Sequence, residues 1–234
     1  MGEDSNVLAL LEDWIRSLKI FKRSKKPLRV KVEAFLNWLI SSSCRKTAKF
    51  LSLTRIKVSK SSVNEWCIKI RNALEKVEWN RAKVHKLVAI DETCLKINGE
   101  KHWVYAALDV ENKELIEIVA FPNRDMLNTL IFLKKVLKLC KGKKPKFLRD
   151  KAPWLKEALD YLKLEQEHQT FGLRNLIERL FGYLKHRTKL FFNNININLR
   201  KALNLLDQGL KLRRGLSLLK SFLRAFKFYF DFLR

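Results

Sequence analysis

A chain of 234 residues with 47% apolar side chains is long and apolar enough for one good core and a small appended domain, which excludes a disordered chain. Lys and Arg number 49 against 24 Asp and Glu, and a formal net charge of +25 exceeds what solubility needs and marks a polyanion as the partner. No uncharged apolar run approaches the ~20 residues of a bilayer span, Met1 to Ser5 lack a signal peptide's basic and apolar regions, and Cys44, Cys67, Cys94 and Cys140 form no C-x-x-C pair, so membrane insertion, secretion and structural zinc are set aside for a cytoplasmic protein.

The basic excess sits in the flanks. Residues 14–83 carry 19 basic against 4 acidic side chains and residues 179–234 carry 13 against 2, whereas residues 84–178 are nearly balanced at 17 against 14. Such a middle keeps carboxylates for metal while its flanks grip phosphate. In chain order, residues 6–20 read as an amphipathic helix with Val7, Leu10, Leu11, Trp14, Ile15 and Leu18 on one face, and Lys22 to Pro27 as a basic linker. Residues 29–83 read as three short helices, the first over 31–40 and the second over 45–51. In the third, Val63, Trp66, Cys67, Ile70, Leu74 and Val77 recur at the spacing of one helical face. Ser62 with Glu65 forms a capping box, or Ser59 caps instead. That stripe leaves Lys60, Ser61, Asn64, Lys69 and Arg71 facing outward, where the start of the helix enters a major groove and the cations hold phosphate. This is a helix-turn-helix reading; a basic three-helix bundle that only covers a core fits the same pattern.

From residue 84 the period changes. Leu87 to Ile90, Trp103 to Leu108 and Leu115 to Phe121 read as strands, with Asn98-Gly99 and Glu111-Asn112-Lys113 as the turns between them. Helices follow over 128–139 and 154–162, with a short strand at Phe147-Leu148 and a last edge strand over 164–169. The order βββαβαβα predicts an α/β fold, a mixed sheet with helices on its faces.

That order brings acids together. Asp91 ends the first apolar run, Asp150 ends the fourth strand and Glu178 lies on the following helix, so the three can converge on divalent metal; a pair of ions about 3.5–4 Å apart activates the attacking oxygen and stabilises the leaving one. Glu92 is a rival to Asp91, but neighbours on a strand point to opposite faces. Asp109 is the reserve candidate, with a turn-capping role as its alternative. Around Glu178, an apolar stripe of Leu173, Leu176, Ile177, Leu180, Phe181 and Leu184 leaves the carboxylate at the border of the core, with Lys185 two turns on and placed for a DNA phosphate. Phe191 to Asn194 breaks this helix after Lys189. Helical patterns resume over 199–212 and 216–233, the second so crowded with Phe that it packs on the core, a second subunit or a membrane surface.

Asp91-Glu92-Thr93, the strand Trp103 to Asp109, Arg124-Asp125, Asp150-Lys151 and Asn175-Leu176-Ile177-Glu178, with Lys185 and Arg187 behind them, together resemble the catalytic domain of prokaryotic insertion-sequence transposases of family six. Arg45 and the stretch Ser59 to Trp66 resemble that family's N-terminal helix-turn-helix. The resemblance covers about residues 29–190 and implies a ribonuclease H-like core similar to retroviral integrase, in which Asp91, Asp150 and Glu178 bind two Mg²⁺ ions, with Mn²⁺ as a substitute. It implies cleavage at the ends of a mobile element and joining of the freed 3′-hydroxyl to target DNA, by a homodimer or higher oligomer on double-stranded DNA. The domain boundaries expected are 1–28, 29–83 for the helix-turn-helix, 84–190 for catalysis and 191–234 for a helical extension. Two departures stand out: only 27 residues separate Asp150 from Glu178, and Leu180-Phe181-Gly182 replaces the acid and histidine that usually follow the glutamate. A catalytically inactive DNA-binding derivative and a ribonuclease H-type nuclease are the alternatives.

Overall fold

A computed structural model describes residues 7–22, 25–74, 82–97, 99–169, 172–193 and 208–232. The expectations that fall on Val77, on Asn98 and on residues 194–207 lie outside them. The chain divides into two compact units, one of Met1–Val77, Leu190–Asn194 and Arg224–Arg234, the other of Glu78–Lys189 and Ile195–Leu223.

The first unit is built on α1 (Val7–Ser17), α2 (Leu28–Ser41), α3 (Cys44–Leu53) and α4 (Lys60–Leu74). On α1, Leu11 and Ile15 are buried while Leu10 and Leu18 are exposed, so the apolar face is narrower than its sequence pattern. The α2 helix stops where Ser42 turns left-handed at φ 51°, its N–H donating to Trp38 O over 2.7 Å; Ser43 then caps α3 by accepting from Lys46 N at 3.4 Å. Ser59, not the Ser62–Glu65 pair, caps α4: its Oγ accepts from Ser62 N at 3.0 Å, and Glu65 instead pairs with Lys69 over 2.7 Å. Val63, Trp66, Cys67, Ile70 and Leu74 are buried as expected. Arg71 is a correction. It is only 6% exposed, its guanidinium 5.3 Å from the Trp38 ring, because it lies four residues after Cys67 and three before Leu74 and so falls on the buried face. Burial lowers its pKa.

The second unit holds β1 (Leu87–Ile97), β2 (Glu100–Asp109), β3 (Leu115–Phe121), α5 (Met126–Lys138), β4 (Lys146–Arg149), α6 (Pro153–Tyr161) and β5 (Gln166–His168), with the first parts of α7 (Asn175–Asn193) and α8 (Gln208–Phe232). This is the expected βββαβαβα order. The five strands form one sheet ordered β3-β2-β1-β4-β5; β1 and β2 pair antiparallel, as do β2 and β3, while β1–β4 and β4–β5 are parallel. Gly99, at φ 87°, allows the turn into β2 that a side chain would strain. Asp109 is buried and structural: it accepts from Asn112 N at 2.8 Å and pairs with His85 Nδ1 at 2.6 Å, fixing the β2–β3 turn, and its reserve role as a ligand falls away. On one face of the sheet Val88, Ile90, Tyr105 and Ala107 pack with Phe132 of α5 and Leu155 and Leu159 of α6.

Several boundaries differ from the sequence reading, among them the break expected between 212 and 216, where one helix runs over Gln208–Phe232. The β1 strand runs on to Ile97, so Asp91 sits within it, held there by the ladder with β2 from Val88↔Asp109 to Ile97↔Glu100. The α7 helix continues to Asn193 and does not break after Lys189. On α8, Leu219, Phe222, Leu223, Phe226, Phe228 and Phe230 are all buried, which answers their crowding by packing within the chain. Among the described residues no helix is long and apolar enough to cross a membrane.

Candidate active site

The parallel register of β1 and β4 pairs Leu87 with Lys146, Val88 with Phe147 and Ala89 with Leu148. The pairing ends there; Asp91 lies two residues beyond it along β1, and Asp150 two residues beyond it, just past the end of β4. Alternation along β1 turns Asp91 to the face opposite the α5–α6 core, while Glu92 follows Val88 and Ile90 into that core.

Each aspartate is oriented by backbone. Asp91 is buried, and its Oδ1 accepts from Glu92 N at 2.8 Å. Asp150 is half-buried, and its Oδ1 accepts from Ala152 N at 2.8 Å in the turn that leads into α6. Arg149 steadies the same turn: NH1 donates to Asp150 O over 2.6 Å, and Nε donates to Gln166 Oε1 on β5.

The electrostatics agree with this placement. Burial, then Asp91 and then Asp150 push the Glu92 carboxyl up to about 7, against the opposing pull of the Trp154 hydrogen bond and Arg124. Glu92 thus feels both aspartates from the other side of the strand. Its Oε1 accepts from Trp154 Nε1 at 3.1 Å and lies 3.8 Å from Arg124 NH1, and its buried Oε2 has no partner among the described residues. The Arg124 guanidinium carbon is 4.1 Å from the Trp103 ring centroid and 4.1 Å from that of Trp154. Sequence reasoning met Glu92, Arg124 and Trp103 but missed Trp154. The signal was its position, in the first turn of α6 and four residues after Asp150.

Glu178 stands exposed in the first turn of α7, next to buried Ile177 and Leu180. Among the described residues no three His, Cys, Asp or Glu side chains stand close enough together to hold a metal ion, so Asp91, Asp150 and Glu178 do not form one cluster in this structure. In donor chemistry the two aspartates suit a hard divalent cation: each is an oxygen donor held by a backbone N–H, and Asp91 is buried.

Of the residues expected to meet DNA, Arg45, Lys60, Ser61, Asn64 and Lys69 are exposed on α3 and α4, and Lys185 is exposed and Arg187 half-buried on α7. Only Arg71 is withdrawn from solvent.

Residues 85–225 match the sequence profile of a family described as "DDE domain". An uncharacterized protein of Methanocaldococcus jannaschii is 38% identical over 191 residues, 82% of this chain and 87% of that protein. The transposase for insertion sequence-like element IS431mec of Staphylococcus aureus is 30% identical over 181 residues, 74% of this chain and 78% of that protein. Among solved structures, the HTLV-2 integrase catalytic core domain in complex with magnesium is 15% identical, covers 58% of this chain and 86% of that one, and superposes with a TM-score of 0.39.

Proposed function

Because the chain belongs to the DDE-domain family and is related to insertion-sequence transposases, we propose that it cleaves DNA at the ends of an insertion sequence of family six and joins the freed 3′-hydroxyl to target DNA. The observation that carries this reading is the parallel β1–β4 register, which runs toward Asp91 on β1 and toward Asp150 just past β4. The sheet order and the mixed strand directions support a ribonuclease H-like core for residues 84–190, and the helices α2, α3 and α4 support residues 29–83 as a helix-turn-helix.

Asp91, Asp150 and Glu178 would hold Mg²⁺, or Mn²⁺ in its place. When bound, such ions offset the charge that builds on the oxygens of a phosphodiester under in-line attack. The chain's own part is positional. The ladder with β2 holds Asp91, the Arg149 and Ala152 hydrogen bonds hold Asp150, and α7 carries Glu178 on an exposed side from which its side chain can swing. Exposed Arg45, Lys60, Ser61, Asn64 and Lys69 meet the duplex at the element end, and Lys185 with Arg187 meets phosphate beside the acids. Two ends must be held at once, so the working form is a dimer or higher oligomer on DNA.

The test is a strand-transfer assay with Mg²⁺ and Mn²⁺ on a duplex carrying the element end, run beside a binding assay. Asp91→Asn, Asp150→Asn and Glu178→Gln each keep side-chain volume and remove a negative oxygen donor, so each should nearly abolish joining and leave binding intact. Full activity in Glu178→Gln would overturn the three-acid assignment. The exposed position of Glu178, apart from the aspartate pair, favours one other reading, a DNA-binding derivative without turnover; wild-type protein that binds ends tightly and never cuts with either metal would establish it.

A further inference from the structure

The Arg124 guanidinium lies between two indole rings, its carbon 4.1 Å from each centroid, so its plane is fixed by Trp103 on β2 and Trp154 on α6. Yet it makes no hydrogen bond to any described residue. Its ion pair with Glu92 Oε1 is 3.8 Å long, outside hydrogen-bond reach, and that oxygen already accepts from Trp154. The side chain is 37% exposed, so the donor edge of the fork reaches the surface.

A guanidinium offers five N–H donors in a planar fork that suits carboxylate or phosphate oxygens two at a time. Here the guanidinium is flanked by two rings, and its donors are unspent on described protein. Phosphodiester oxygens match such a fork, and a fixed plane lessens the ordering cost of the contact. The position is equally specific: Glu92 directly follows Asp91, and Trp154 follows Asp150 by four residues. The fork therefore sits beside the stretch of β1 that carries Asp91 and the first turn of α6 that follows Asp150.

We propose that Arg124 binds a backbone phosphodiester of the DNA strand that runs past Asp91 and Asp150, with Trp103 and Trp154 as the walls that hold its plane. The identity of that strand rests on the function proposed above; the contact itself is tested without cleavage. The full-length protein is titrated with a mixed-sequence 30-base-pair duplex in EDTA over a range of salt concentrations. Thermal unfolding is recorded for every variant.

Arg124→Gln should lower the slope of log affinity against log salt by about 0.9, the value for one phosphate contact on B-DNA. Its affinity should fall by about tenfold, the order of one hydrogen bond to a charged group. Arg124→Lys should keep the wild-type slope and bind with intermediate affinity, because it retains the charge and loses the planar fork. A folded Arg124→Gln with the wild-type slope and affinity overturns the proposal. If that variant does not fold, Arg124→Lys decides: reduced affinity at unchanged slope supports the contact, and wild-type affinity overturns it. No metal is present, so a protein that fails to join DNA still gives this result, and loss of the Arg124 contact leaves the assay of the three acids standing.

Discussion

The Trp154 indole N–H donates to Glu92 Oε1 over 3.1 Å, tying the first turn of α6 to the strand that carries Asp91. Since Asp150 reaches α6 through the turn it caps at Ala152, this bond helps fix the separation of the two aspartates. Trp154→Phe keeps an aromatic wall and removes the donor, which leaves a buried carboxyl with neither oxygen satisfied. Unfolding in urea should show a loss of about 1–3 kcal/mol. In a Glu92→Leu background the same change should cost much less, and equal costs in the two backgrounds would show that the bond carries no coupling.

Gly215 on α8 is placed by close approach. A Cβ there would stand 2.9 Å from His102 Nε2 and 3.3 Å from Cε1, and His102 is itself fully buried. Ala ordinarily strengthens a helix interior by up to ~1 kcal/mol over Gly, but overpacking costs about 1–3 kcal/mol. Gly215→Ala should therefore lower the melting temperature. In a His102→Ala background, where the obstruction is gone, it should raise it. The same sign in both backgrounds would refute the steric account.

Much of this architecture was legible because the periodic signals were strong. The βββαβαβα order and the buried stripe of α4 follow from apolar spacing alone. Boundaries were less legible where tertiary pairing extends an element past its local signal: β1 continues through Glu92 to Ile97 because β2 pairs along its whole length. At the site, Asp150 was readable as a strand-end acid, whereas Asp91, read the same way, lies within β1. The indole sandwich was not, since it joins residues from a strand, a loop and a helix with no shared periodicity. Arg71 shows the opposite error: its charge argued for solvent, while its spacing from Cys67 and Leu74 placed it inside.

Two groups should each remove stability in its own stage as pH falls, against an opposite contribution from Glu92, whose carboxyl, raised to about 7, takes up a proton in the folded chain before the unfolded one does. Burial lowers the His102 pKa from 6.5, with a smaller opposing pull from Glu100. Above pH 6.5 the ring is neutral in both folded and unfolded chains. Below it the unfolded chain takes up a proton that the folded one refuses, so stability falls with pH until the lowered folded value is reached. Asp109 acts at lower pH. Burial pushes it up, but hydrogen bonds from Asn112 and His85 prevail and lower it from 3.8, so its contribution is complete above 3.8 and is lost as pH falls through the folded pKa. Denaturant midpoints measured against pH should lose the upper stage in His102→Leu and the lower stage in Asp109→Asn. An unchanged upper stage in His102→Leu would assign that decline to another group.

The two arginines of the N-terminal helices should separate binding from folding. Arg45 is exposed at the start of α3, so Arg45→Ala should weaken binding to every duplex and reduce the salt slope by about 0.9 if it meets one phosphate, with little change in stability. Arg71 lies over the Trp38 ring inside the unit, and its truncation removes a cation–π contact and opens a cavity between α2 and α4. Arg71→Ala should cost about 2–4 kcal/mol of unfolding free energy, and under conditions where it is still folded its salt slope should match the wild type. Asn64, exposed on α4, is the test of base reading: Asn64→Ala should narrow the preference for the element end over a scrambled duplex while leaving the slope alone. The measurement is one set of salt titrations on both duplexes for the three variants, beside urea unfolding. A folded Arg71→Ala that loses slope as Arg45→Ala does would return Arg71 to the DNA-facing surface and undo the burial argument.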